Sequence, residues 1–164
     1  EQAWLAGPDG QVHRGSSGGW QLLLPSGTPG SRLVDVAPVA PETALFAVAF
    51  ASDDTGVIYY GENGALGDAI EFETAITSVA STPTHGFWAA GYDLLRSDDG
   101  IDWEFVTTVT DTTPVVALGH FVDGAVQMVC DNGLIYRWAD EQLTLVQEVP
   151  LRTRLSSIAR VDAA

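Results

Sequence analysis

A three-residue strand ending in a large polar or aromatic side chain recurs four times along this chain: Val12-His13-Arg14, Ile58-Tyr59-Tyr60, Leu94-Leu95-Arg96 and Ile135-Tyr136-Arg137. The anchors Arg14, Tyr60, Arg96 and Arg137 are spaced 46, 36 and 41 residues apart, so four units of about 41 residues account for all 164 positions. A repeat of that length constrains the fold more than any local propensity. Each unit must be one supersecondary element that buries its apolar faces against its neighbours.

Each unit reads as four short strands. The first is apolar and ends in a small residue: Leu33 to Ala37, Ile76 to Ala80, Val115 to Gly119, and Leu155 to Ala159. The second carries larger apolar groups: Ala3 to Ala6, Leu45 to Ala51, Phe87 to Ala90, and Val126 to Cys130. A turn of Gly, Asp and Asn follows, as in Asp131-Asn132-Gly133, because these residues tolerate positive φ. The third strand holds the anchor. The fourth is expected to start at Trp20, near Ala69, at Trp103 and near Leu143.

The turn after the anchor carries most information. Its third position is Ser17, Asn63, Asp99 or Asp140, and its fourth is Gly18, Gly64, Gly100 or Glu141. The third-position side chains are expected to accept backbone N–H bonds and lock a hairpin. Trp103 and Trp20 would then pack as apolar plates on the neighbouring sheet. In the third unit the pattern is complete: Ser97, Asp99, Gly100 and Trp103 resemble the Asp-box of the sialidase-type (BNR) repeats, in its shorter Ser-x-Asp-Gly-x-x-Trp form. That resemblance implies a β-propeller, as in exported bacterial propellers and photosystem assembly factors. In that family the box marks the fold and lies far from any active site, so it implies no particular reaction.

The expected architecture is therefore all-β: a single propeller domain over 1–164, with four blades. The alternative is half of an eight-bladed ring formed by two chains. The chain opens on a second-type strand and carries a spare first-type strand at its end. Residues 156–161 are thus expected to close on residues 3–6, in the same or a second copy, and so remove an exposed sheet edge.

Charge narrows the partners. Twenty-two acidic residues face seven basic ones, all Arg, for a formal net charge of −15. Such a field repels nucleic acid and anionic membrane surfaces, and no apolar run reaches the length of a membrane helix. The start at Glu1, taken with the habits of the resembling family, sets the expectation of an extracytoplasmic (secreted or periplasmic) protein. The lone Cys130 excludes an intrachain disulfide and reads as a small core residue.

Few residues offer chemistry. Gly15-Ser16-Ser17-Gly18-Gly19 matches the nucleophile-elbow pattern, which has meaning only on a strand-to-helix turn; the repeat places it between two strands. His13, His85 and His120 are too dispersed for a ligand set or a catalytic base. Arg14, Arg96 and Arg137 share one repeat position, and their heads are expected to pair with carboxylates of an adjacent blade or turn. Trp138 stands where the intact box has Ser97; placed at a rim it would be a binding residue, and packed between blades a core one. No cofactor is expected, and calcium would have a claim only if turns such as Asp53-Asp54 or Asp98-Asp99 converged as oxygen ligands.

No catalytic residue is nominated. The expected function is a non-catalytic interaction or scaffold module that binds a protein partner or its own second copy. A glycan-binding or glycosidase-related propeller is the alternative.

Overall fold

A computed structural model of the chain describes residues 3–6, 11–16, 18–24, 31–40, 43–50, 55–62, 65–82, 86–110, 112–120 and 124–149. Among these residues the backbone is all β, with fifteen strands in four sheets and no helix. The first sheet holds β1 (Ala3–Ala6), β2 (Val12–Ser16) and β3 (Gly19–Leu24). The second holds β4 (Ser31–Ala40), β5 (Thr43–Phe50), β6 (Gly56–Glu62) and β7 (Ala65–Phe72). The third holds β8 (Ile76–Thr82), β9 (Gly86–Gly91), β10 (Asp93–Ser97) and β11 (Glu104–Thr108). The fourth holds β12 (Val115–His120), β13 (Val126–Cys130), β14 (Leu134–Ala139) and β15 (Gln142–Glu148). Each sheet is an antiparallel meander in chain order. The four expected units are thus four sheets. The expected closing strand, 156–161, lies outside the described residues.

The third sheet shows why the units stack face to face. Strand side chains alternate between faces, and here both faces are apolar. Phe87, Ala89 and Leu95 point into a cluster with Ala37, Ile58, Ile76 and Val79. Their neighbours Trp88, Ala90 and Leu94 point the other way, into a cluster with Val115, Val126, Met128 and Cys130. A sheet buried on both faces must sit between two others, as a blade does.

The first strands of successive sheets lie side by side: β4 against β8, and β8 against β12. Each is also the edge of its own sheet, so its outward N–H groups need partners from outside the ladder. Side chains supply them. Asp35 Oδ2 accepts from the backbone N–H of Val79 at 3.0 Å and from the hydroxyl of Ser78 at 2.6 Å. Ser78 Oγ in turn accepts from the N–H of Leu118 at 3.1 Å. Asp35 Oδ1 caps the N–H of Val36 at 2.8 Å. A single polar chain thereby runs from β4 through β8 to β12.

A bulge at the same repeat position aims these groups. Register shifts fall between Leu33 and Asp35, Ile76 and Ser78, and Val115 and Ala117. Each leaves one extra residue, Val34, Thr77 or Val116, and bends the strand there. Thr77 Oγ1 donates to the carbonyl of Ala90 at 3.0 Å and shares its proton with that of Val115. Outer strands are bulged too, at Leu23, Val106 and Val146.

Two expectations need correction. β7 begins at Ala65, four residues ahead of the expected start near Ala69, because Glu62 pairs directly with Ala65 and only two residues join them. The second turns are also not four versions of one device. Ser16 pairs with Gly19, and Ala139 with Gln142, again leaving two residues between. At the latter, Asp140 and Glu141 have φ of 50° and 59°, the backbone of a tight two-residue hairpin. Only the third unit, where Arg96 pairs with Glu104, carries a seven-residue turn.

Asp35→Ala strands the Ser78 hydroxyl and the Val79 N–H at the joint between the second and third sheets. It is expected to cost roughly 2–3 kcal/mol, read from the midpoint of urea unfolding, with Asp35→Asn intermediate. A midpoint unchanged in both variants would remove the polar chain from the account of stability.

Candidate functional site

The seven-residue turn of the third unit is built by Ser97 and Asp99. Ser97 is 2% exposed, and its Oγ accepts from the N–H groups of Asp99 at 3.3 Å and Gly100 at 2.8 Å. The same hydroxyl donates to Asp99 Oδ1 at 3.0 Å. Asp99 Oδ1 also accepts from the N–H groups of Ile101 at 2.8 Å and Asp102 at 2.9 Å. Those backbone bonds, to Asp102 first and Ile101 next, hold the Asp99 carboxyl below its ordinary pKa, so the turn carries a fixed negative charge.

Gly100 has φ +81°, and a Cβ there would lie 2.8 Å from the Tyr60 ring. Glycine is therefore required both for the left-handed backbone and for the close approach of β6. Tyr60 meets Phe87 edge-on at 6.0 Å. Burial, followed by the charges of Glu62 and Asp99, raises its phenol pKa. Trp103 closes the turn: its indole N–H donates to the carbonyl of Gly100 at 3.2 Å, and its ring meets Phe72 of the second sheet edge-on at 6.1 Å. Ser97, Asp99, Gly100 and Trp103 thus act together as a strap between the second and third sheets.

The other sequence candidates are scattered. Ser17, Asn63 and Gly64 lie outside the described residues, and Gly18 is an exposed turn residue. Trp20 is 59% exposed, and its ring covers Gly15 of its own sheet rather than lying buried against another. The two-residue turn places it directly opposite Gly15 in the ladder, whereas the longer turn carries Trp103 across to Phe72. Trp138 is half-buried and packs beside Tyr136 and Leu143 against the cluster between the third and fourth sheets.

Arg96 lies over the Trp88 ring at 5.8 Å and pairs with Asp98 of its own turn at 2.8 Å. Arg14 and Arg137 hold the matching positions in β2 and β14. His13 Nε2 sits 3.3 Å from Gln11 Oε1, and His85 lies outside the described residues. Burial pushes the Cys130 thiol up to about 11. Among the described residues no group of three or more His, Cys, Asp or Glu side chains could hold a metal ion; Asp53 and Asp54 are not among them.

Sequence reading missed two features. One is Asp35, concealed inside an apolar strand; the signal was its alignment with Ser78 in the next unit. The other is a cleft of about 250 Å³ beside the Ser97–Trp103 turn, lined among others by Arg96, Asp98, Asp102, Trp103 and Glu104. Ile101 and Phe105, next in sequence to its lining residues, are 57% and 63% exposed.

No protein-family model matches the chain, and no curated protein matches it in sequence. Solved structures do resemble it in shape. A streptogramin B lyase is similar at TM-score 0.65 and 13% identity, over 91% of this chain and 54% of that one. A structure titled "YCF48 bound to D1 peptide" follows the chain at TM-score 0.59 and 10% identity, over 86% of this chain and 47% of that one. The computationally designed Ika4 protein is similar at TM-score 0.57 and 12% identity, over 87% of both chains. The first two are propeller proteins. The fold is a β-propeller. This propeller chain spans about half the length of the lyase and of a second match, a Bacteroides caccae protein of unknown function.

Gly100→Ala is expected to cost roughly 1–2 kcal/mol for the left-handed backbone alone, and more once the Tyr60 contact is counted. Asp99 sets a pH dependence of defined sign. Its depressed carboxyl stabilises the fold above the ordinary carboxylate pKa near ~3.9, and that contribution disappears as pH falls through the lower folded value. Melting curves from about pH 5 downward should fall less steeply for Asp99→Asn than for the unmodified chain. Parallel curves would show that the turn carries no linked proton.

Proposed function

We propose that the chain is a non-catalytic β-propeller interaction module that displays a surface for a protein partner on a stiff set of blades. We read the Ser97–Trp103 turn as an Asp-box of the sialidase type, serving as an inter-blade strap. We also propose that residues 156–161 complete the first sheet beside β1, in the same or a second copy. What supports this closure is a first sheet of three strands among four-stranded neighbours, with β1 at its edge and packed against β4. The extracytoplasmic setting implied by the family resemblance belongs to the same reading.

The observation that carries the reading is the placement of exposed apolar side chains. Trp20, Leu22, Ile101, Phe105, Leu145 and Val146 are each about half exposed or more, and all lie on outer strands or on the turn leading into one. Binding residues concentrate where a rigid scaffold presents its periphery. The likeness to YCF48 bound to a D1 peptide fits this reading, since a propeller of related shape holds a peptide. A glycan-binding reading has one specific observation in its favour, the indole of Trp20 laid open over Gly15, which offers a flat apolar plate to a sugar ring.

Peptide and glycan arrays probed with the same labelled protein separate the two. The module reading predicts sequence-selective peptide binding and a blank glycan array. Glycan binding that disappears in Trp20→Ala, without peptide binding, would replace it with the lectin reading.

A further inference from the structure

The free edge of the third sheet combines an open strand, an apolar strip and unneutralised charge. Among the described residues β11 pairs only with β10, so outside its bulge at Val106 one row of its backbone N–H and C=O groups faces outward. The chain entering it alternates exposed Ile101, Asp102, half-buried Trp103, Glu104 and exposed Phe105. Beside them the cleft of about 250 Å³ collects the carboxylates of Asp98, Asp99, Asp102 and Glu104 against one guanidinium, that of Arg96. Arg96 is committed to Asp98, and Asp99 is held ionised by its backbone donors. The described residues offer Asp102 and Glu104 no ion-pair partner.

We infer that this edge docks an extended cationic–apolar segment of a partner protein, whose arginine or lysine side chains enter the cleft against Asp102 and Glu104 while its apolar side chains cover Ile101 and Phe105. The inference rests on the interaction-module reading and names the partner's chemistry. Charge selects the occupant: with a net charge of −15 and no lysine, the chain disfavours acidic segments and steers cations toward it. Size selects an extended segment. The cleft is smaller than the ~300–1,000 Å³ of small-molecule pockets, so it takes one side chain at a time while the open edge receives backbone.

The test is a titration of the full chain with an N-acetylated heptapeptide alternating arginine and leucine, with a glutamate–leucine heptapeptide and free arginine amide as comparators. Affinity is read by calorimetry and the site by amide chemical shifts. The alternating cationic peptide should bind, weaken with added salt, and shift amides within 101–108; neither comparator should. Phe105→Ser, and separately Asp102→Asn with Glu104→Gln, should each weaken binding roughly tenfold. The charge-matched pair Asp68→Asn and Glu71→Gln, exposed on β7, should leave affinity within about twofold. Equal losses from both charge pairs would reduce the effect to overall acidity and overturn the inference. Peptide binding whose shifts map to another edge would overturn it and leave the module reading standing. Failure of the cationic peptide to bind at all would also overturn it, and peptide arrays blank as well would remove the module reading with it.

Discussion

The carboxylate of Asp35 does for the joint between two blades what ladder hydrogen bonds do within a sheet. The first strand of each blade is a sheet edge turned toward the next blade's first strand, and an edge N–H left without an acceptor is a cost no apolar contact repairs. Asp35 reaches across to the N–H of Val79, and Ser78 repeats the reach to Leu118. The bulges at Val34, Thr77 and Val116 turn the strands so that these groups meet. Apolar packing then fills the wedge outside, with Phe87 and Trp88 serving opposite faces of one strand. The Ser97–Trp103 strap ties the same joint at its outer end through Tyr60 and Phe72. The joint between the second and third sheets is thus fixed at both radii.

That division of labour leaves exposed apolar side chains at the periphery. The inner strands are consumed by mutual satisfaction, and the faces of the third blade by packing. What remains exposed is the outer strands and turns, where Ile101, Phe105, Leu145 and Val146 stand in solvent. The third blade differs from the other described blades in having a long, hydrogen-bonded turn rather than a two-residue hairpin. Its seven residues bring three aspartates and a tryptophan to one corner. The same turn thereby also lines a cleft of about 250 Å³.

The repeat rhythm was legible because alternation and the anchors at Arg14, Tyr60, Arg96 and Arg137 reflect backbone periodicity, which packing enforces in every unit. Turn length was not. Asp99 and Asp140 look equivalent in a one-dimensional alignment, yet one sits inside a seven-residue turn and the other at positive φ between Ala139 and Gln142. The difference lies in where pairing resumes, and no single residue declares that. Trp20 and Trp103 diverged for the same reason. Asp35 was read as part of an apolar strand because the donors that tie it to the next blade, Ser78 and Val79, lie more than forty positions away, and only alignment of the units brings them beside it.

The central claim is that side chains, rather than ladder bonds, protect the inward-facing edge amides of the first strands. Amide hydrogen exchange at Val79 and Leu118 tests it directly, because both N–H groups donate to side-chain oxygens of the adjacent blade. The account predicts that both exchange only through global unfolding, at rates matching the slowest ladder amides of β9 and β13. Exchange as fast as that of the open-edge amides of β11 and β15 would contradict it.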